Sequence, residues 1–363
     1  MRNLQISTID NHEDWARIAP QWNQLLQESR SSTFFLTWEW LSSWAECCLD
    51  KNRRLFILVF HENDRLIGAA PFYIEDRKAG PFPLREIRFL GTPDAGSDYL
   101  DVFTRKGREK IVADALYDYL TTDEGKSAWD QLDLADIRAD SLFLLHFPAR
   151  IKAAGKHATA DLHAYCPLMR LPSSEAGLYA QCSPGWRKKI KQDIRVIHRE
   201  RNVRHSVSRN GNLPEKLAEF FHLYEAKTNW PVGRLPAILE RTAAKHGDEV
   251  PVQVDLLSID GRAVVGLVHL KHQNTLSMYL MAVDKEYNPK VSLGNYLVGE
   301  SIINAIASGY TAYDFLKGEE PYKFHWAKEG IRTMRLLFWQ RRPGPVYSAF
   351  ARLLKNAGKL LLR

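Results

Sequence analysis

The sequence predicts a mixed α/β protein (α+β mixed sheets) built from two similar halves in tandem, and three observations carry this. The chain has 363 residues with 45% hydrophobic content, more than one ordinary core requires and enough for two domains. An apolar hairpin pattern occurs twice, about 200 residues apart. Behind each hairpin the same order of strand, helix and strand returns, which points to internal duplication.

The elements follow in order. Met1 to Trp15 is polar and carries Asp10, Glu13 and Asp14 where a leader would be basic and then apolar. No run of about 18 apolar residues occurs anywhere. A cytoplasmic protein is therefore expected. Arg54–Phe60 (RLFILVF), the acidic turn HEND and RLIGAAPFY to Tyr73 read as the first hairpin. IRFLG through YLDVF, the helical EKIVADALYDYL and the strand WDQLDLADI complete the first half.

PLMRL (167–171) reads as the final strand of that half, which sets the expected domains at 1–170 and 171–340. In the second half VQVDLLSI, the turn Asp260-Gly261 and RAVVGLVHL form the matching hairpin, Asp-Gly being the favoured tight-turn pair. TLSMYLMAV, the helical LGNYLVGESIINAIA and TAYDFL follow, and Gly68 and Gly266 occupy similar places in the two second strands.

Cys47, Cys48, Cys166 and Cys182 lack CxxC spacing and read as reduced thiols. His269 and His272 are three apart on a strand and point to opposite faces, so no metal site is expected.

The formal charge of +7 is concentrated in two segments. Residues 187–204 hold eight Lys/Arg against two acids, and 341–363 hold six and no acid. In the first, Ser183-Pro184 reads as an N-cap and first helical position. Ile190, Ile194 and Ile197 then form an apolar stripe, and Arg187, Lys191, Arg195 and Arg199 a column at i, i+4 spacing, where like charges repel. Arg187, Lys188 and Lys189 fall in the first turn, where the helix dipole disfavours cations. A solvated face or an anionic ligand are the two readings, the latter using Arg187, Lys188 and Lys191. In the tail, 341–363, Val346, Phe350, Leu353, Leu354, Ala357, Leu360 and Leu361 share one face opposite Arg352, Lys355 and Lys359. That pattern suits peripheral contact with a membrane surface, here the inner membrane, or packing on the protein's own body. Neither basic run carries a DNA-binding motif, so no DNA partner is expected.

The chemistry-bearing residues gather behind two strand ends of the second half. A strand, a turn and a helix starting near Gly294 present backbone N–H groups to an anion or pyrophosphate, or simply let the chain turn. Tyr313 to Trp326 packs acids, lysines, tyrosines and a histidine beyond a strand end, where open α/β sheets bind ligands. YDFLKGEEPYKFHWA resembles the DF-x-x-G-x-x-x-YK-x-x-W segment of the GNAT acyltransferases associated with cellulose and exopolysaccharide biosynthesis. FLTWEWLSSW (35–44) and GSDYLDVF (96–103) resemble segments of that family's first half. The architecture is also similar to the Fem-type aminoacyl transferases.

The resemblance implies two GNAT-like domains and transfer of an acyl group from acyl-CoA or another acyl thioester. The implied acceptor is an amine on a cell-envelope precursor, either a glycan or a lipid such as a long-chain amino alcohol. Acyl-CoA would be a cosubstrate, with no permanently bound cofactor. Implied catalytic residues are Asp314, Glu319, Tyr322, Lys323 and His325. Lys290, Ser292, Gly294 and Asn295 would hold the cofactor; Asp98, Tyr99 and Trp326 would contact substrate. The family's Gln/Arg-x-x-Gly-x-Gly/Ala loop is represented by Lys290-Val291-Ser292-Leu293-Gly294-Asn295, with one glycine. Trp326 stands four residues before Gly330-Ile331, where that family commonly carries a tyrosine; the nearest phenol is Tyr322. Two alternatives remain: an aminoacyl-tRNA donor, and a non-catalytic assembly factor for exopolysaccharide biosynthesis.

Overall fold

The computed structural model describes residues 4–348 except 201, 209, 229–230, 248–249 and 288–290. The tail expectation therefore lies outside the described residues beyond Ser348, as does Lys290. The chain divides into two compact units, one comprising the residues up to His163 together with those from Arg332, the other Ala164–Ile331. No described helix is long and apolar enough to cross a membrane.

Unit 1 starts with β1 (Leu4–Ile9), α1 (His12–Arg17), α2 (Ala19–Glu28) and α3 (Trp38–Cys48). The hairpin is β2 (Arg53–Glu62) and β3 (Arg65–Ala79), its turn made by Asn63 and Asp64, both at positive φ. β4 (Phe82–Phe89), β5 (Phe103–Thr104), α4 (Glu109–Thr121), α5 (Asp123–Ser127), β6 (Gln131–Arg138) and α6 (Leu142–Ala153) follow, and β7 (Ala158–Arg170) leads into unit 2. β1 to β4 pair antiparallel in sequence order, and β6 joins β4 in parallel. The core is aromatic: Trp15, Trp22, Trp40, Trp44 and Trp129 are all fully buried. The indole N–H of Trp22 donates to the Leu36 carbonyl at 2.9 Å and that of Trp40 to Ser97 Oγ at 2.9 Å, as buried indoles favour.

Unit 2 contains α7 (Glu175–Gln181), α8 (Pro184–Ile197), β8 (Val203–Val207), α9 (Leu213–Lys227) and α10 (Leu235–Lys245). Its hairpin is β9 (Val252–Ile259) and β10 (Arg262–His272), followed by β11 (Thr275–Val283), α11 (Leu293–Ala307), β12 (Ala312–Asp314) and α12 (Lys323–Trp326), after which β13 (Glu329–Trp339) leads back into unit 1. Ser183 caps α8 by accepting the Trp186 amide, as its sequence suggests, but the helix ends at Ile197, leaving Arg199 outside the column. β8 to β11 pair antiparallel in the order β8-β9-β10-β11, and β12 joins β11 in parallel. The pairing scheme thus repeats that of unit 1 strand for strand.

The closing strands depart from the order read in the sequence. Leu168–Arg170 of β7 pair antiparallel with β12, so PLMRL closes the second unit and is not the last strand of the first. Thr333–Trp339 of β13 pair antiparallel with β6 and close the first. The unit boundaries run at 163/164 and 331/332, against 170/171 and 340/341 expected. Local patterning could not show this, because an apolar strand reads the same whichever partner it takes.

A buried polar chain ties unit 2 together. Asp255 on β9 and His269 on β10 are fully buried, with His269 Nδ1 3.0 Å from the carboxylate. His269 Nε2 meets the Tyr313 hydroxyl at 2.8 Å, and that hydroxyl meets Ser301 Oγ of α11 at 2.8 Å. Burial alone would raise the Asp255 pKa, but hydrogen bonds from His205 and His269 hold it below the usual carboxylate range.

Removing His269 takes one hydrogen-bond partner each from a buried carboxylate and a buried phenol, so His269→Ala should lose roughly 3 kcal/mol of unfolding free energy in urea denaturation at pH 7. Because the folded carboxyl titrates below its unfolded value of about 4, its contribution is complete above that pH and fades as acid is added. Wild type should therefore lose stability on acidification that Asp255→Asn does not. A His269→Ala loss under about 1 kcal/mol would mean the chain is incidental.

Candidate active site

The site is built where β12 stops. β11 and β12 pair at only three positions, Thr275 with Ala312, Leu276 with Tyr313 and Ser277 with Asp314. Beyond Ser277 the far edge of β11 has no paired strand among the described residues. Parallel strands that part in this way leave a cleft between them, and a ligand can enter there.

Three features turn the chain away. Asp314, 4% exposed, accepts the Leu316 amide on Oδ1 at 2.8 Å. Leu316 sits at φ 53° and Gly318 at φ 128°, both in the left-handed half of the map, which costs an L residue such as leucine about 1 kcal/mol or more. Lys323, 3% exposed, donates its ammonium to the Lys317 carbonyl at 3.0 Å and the Leu316 carbonyl at 3.4 Å, with Glu320 Oε2 at 3.0 Å. A buried ammonium needs such partners, and here they are the carbonyls of the turn itself.

The far wall is the start of α11. Its N-cap, Ser292, makes no side-chain cap; its Oγ accepts from Asn295 Nδ2 at 2.7 Å. A Cβ on Gly294 would lie 3.3 Å from Met281 Sδ and Val283 Cγ2, so this glycine lets the helix end lie close on β11. Between these walls lies a cavity of about 470 Å3, lined by Met281, Val283, Ser292–Asn295, Lys189 and Tyr322. The Tyr322 phenol is raised well above its ordinary pKa by burial, and the Glu320 carboxylate adds to the effect. It therefore keeps its proton.

Of the residues the sequence suggested, Tyr322, Ser292, Gly294 and Asn295 meet at this cavity. Lys323 and Asp314 lie behind it, holding the turn. Glu319 is exposed. His325 is exposed and stacks on Trp186 with ring centroids 4.1 Å apart, while Trp326 is 3% exposed and packs on Gly299. Arg187, Lys188 and Lys191 do not line the cavity; Lys188 and Lys191 are exposed on α8. Asp98 and Tyr99 are buried inside unit 1, at 1% and 5% exposure.

Lys189 was missed by the sequence reading. It is paired with Asp193 one turn on, and its position next to Ile190 on the apolar stripe was the available signal. Met281 and Val283 were also missed, because alternation along a strand does not reveal where its neighbour stops.

Residues 185–324 match the family model described as an acetyltransferase (GNAT) domain. Three solved structures share the fold over nearly the whole chain. FemX aligns with a TM-score of 0.58 at 10% identity, covering 91% of this chain and 96% of that one. The C-terminal domain (DUF2156) of a putative lysylphosphatidylglycerol synthetase from Agrobacterium fabrum gives 0.53 at 10%, covering 93% and 95%. A tandem GNAT protein from the clavulanic acid biosynthesis pathway gives 0.51 at 11%, covering 92% and 98%. No curated protein matches the sequence. Residues 185–324 thus carry the likeness to a GNAT acetyltransferase domain, and the tandem GNAT-like fold with Fem-type similarity expected from the sequence is the one observed.

Lys323→Met should remove the donor for the Leu316 and Lys317 carbonyls and loosen the Leu316 turn, a loss of roughly 1–3 kcal/mol in chemical denaturation. Asp314→Asn keeps an acceptor for the Leu316 amide and should lose under about 1 kcal/mol. Equal stabilities for Lys323→Met and wild type would show that the turn does not need its clamp.

Proposed function

We propose that the cavity between β11 and α11 binds an acyl thioester, acyl-CoA, and that the acyl group passes to an amine on a cell-envelope precursor, a glycan or a lipid such as a long-chain amino alcohol. The observation that carries this is the early end of β12. It leaves a cleft whose one wall is an uncapped helix start and whose other is an apolar strand edge, inside a GNAT domain.

The parts fit the chemistry. The amides of Leu293, Gly294 and Asn295 at the helix start favour an anion such as a pyrophosphate, and Lys189 adds a cation at the same rim. Met281 and Val283 offer an apolar wall to the acyl chain. Attack of a neutral amine on the thioester carbonyl forms the C–N bond, the extra proton on nitrogen leaves to water, and collapse of the tetrahedral oxyanion breaks the C–S bond to release thiolate. Tyr322, protonated and lining the cavity, is placed to give that thiolate its proton. Asp314 and Lys323 act as positioning residues behind it. Glu319 and His325, exposed on the same segment, remain available to an incoming amine.

One observation favours a second donor. Lys188, Lys191 and Arg195 form an exposed basic face on α8, which suits the phosphates of an aminoacyl-tRNA. Such binding would weaken steeply with salt; acyl-CoA, held by fewer phosphate contacts, should weaken much less.

A thermal-shift series with acetyl-, medium- and long-chain acyl-CoA should raise the melting temperature for at least one member, since a ligand selective for the native state stabilises it. Failure of every acyl-CoA, with salt-steep tRNA binding, would shift the reading to the tRNA donor. Tyr322→Phe should cut turnover about 100-fold or more with little change in the acyl-CoA shift. In the wild type, the raised phenol pKa keeps the rate from falling up to about pH 10. Wild-type turnover in Tyr322→Phe would remove this residue from the mechanism.

A further inference from the structure

Unit 1 holds a second cavity of about 470 Å3, lined by the first turns of α4 and α6 and by Arg30, Ser31 and Asp101. Its arginines are both committed to acids of the same cavity. Arg138 forks onto Asp140 with two bonds of 2.9 Å, and Arg30 lies 3.6 Å from Glu109. The third acid, Asp101, is 4% exposed and faces neutral partners only. Its Oδ2 accepts from Ser31 Oγ at 2.6 Å and Ser141 Oγ at 2.7 Å, and its Oδ1 has no hydrogen-bond partner among the described residues.

The electrostatics are correspondingly unbalanced. Burial pushes the Asp101 carboxyl up to about 6; the two serines and the Val102 amide oppose the shift, and the like charge of Asp140 adds to it. No cation is among the main influences on it. A buried carboxylate without a counter-charge is a costly arrangement. The complement of three acids, two arginines and two serine hydroxyls is one positive charge that can donate hydrogen bonds.

We propose that this cavity binds the ammonium group of a primary amine, with Asp101 as its anchor and Ser31 and Ser141 beside it. Val112, Leu142 and Phe143 line the same space and take the aliphatic part of the ligand. A neutral hydroxyl would fill the volume but leave the charge uncompensated. This inference does not depend on acyl transfer, because its evidence and its test concern binding in unit 1 alone.

The test is calorimetric titration of the full chain at pH 7.5 with butylamine, ethanolamine and glucosamine, each beside its uncharged counterpart butanol, ethylene glycol or glucose. At least one amine should saturate and bind about tenfold or more tightly than its counterpart. Asp101→Asn keeps acceptors for both serines while removing the charge, and should abolish that preference. Leu142→Trp, at a half-buried wall position, should block binding without touching Asp101 and serves if the Asn variant does not fold. No saturable amine, equal binding of amine and counterpart, or unaltered binding in a folded variant would overturn the proposal.

Discussion

The ammonium of Lys323, bonded to the carbonyls of Leu316 and Lys317, holds the backbone in a turn that a leucine would otherwise avoid. This contact determines where β12 ends. Were the strand to continue, it would pair with Met278–Val283 and close the edge of β11 that now lines the cavity. Tyr322 precedes Lys323 directly, so the clamp that stops the strand also brings the phenol to the opening. The buried chain from Asp255 through His269 and Tyr313 to Ser301 fixes the other side, tying α11 to the sheet. Two polar contacts thus define both walls of the cleft.

The same strand scheme serves unit 1 differently. There too the parallel pair, β4 and β6, is short, matched only at Glu86 with Gln131 and Ile87 with Leu132. The chain after β4 returns as β5 against β3, and the Leu100 amide bonds to the Asp136 carbonyl on β6 at 3.0 Å. The segment carrying Asp98 and Tyr99 is thereby spent on unit 1's own packing. One scaffold keeps its opening and the other bridges it, a common fate of duplicated folds whose function resides in loops. Glycine marks a further divergence. A Cβ on Gly68 would strike Val112 of α4, whereas one on Gly266 would strike Phe220 of α9, so similar sequence places admit different helices.

Much of the fold was legible in the sequence because its signals are local. The hairpin over 252–270, the helix at 293–307 and the cap at Ser183 all rest on alternation, helical spacing or turn chemistry. The closing strands were not legible, since partner choice for PLMRL and for Thr333–Trp339 is set by pairing across more than 100 residues. At the site, composition located the right segment but not the direction of its side chains. Lys323 reads as a catalytic cation until its carbonyl partners are seen, and the basic column of α8 drew attention from Lys189, which lies outside that column and reaches the cavity. Asp101 stood inside the recognised segment 96–103 and carried no mark of its burial.

The central claim is that an acyl thioester sits between the unpaired end of β11 and the start of α11. Hydrogen exchange with and without a slowly hydrolysed acyl-CoA analogue tests it most directly, because it reads the amides themselves. Slowed exchange should appear in 278–283 and 292–296 and be absent from 98–113. Unchanged exchange in both of the first segments at saturating analogue, or protection confined to unit 1, would contradict the account.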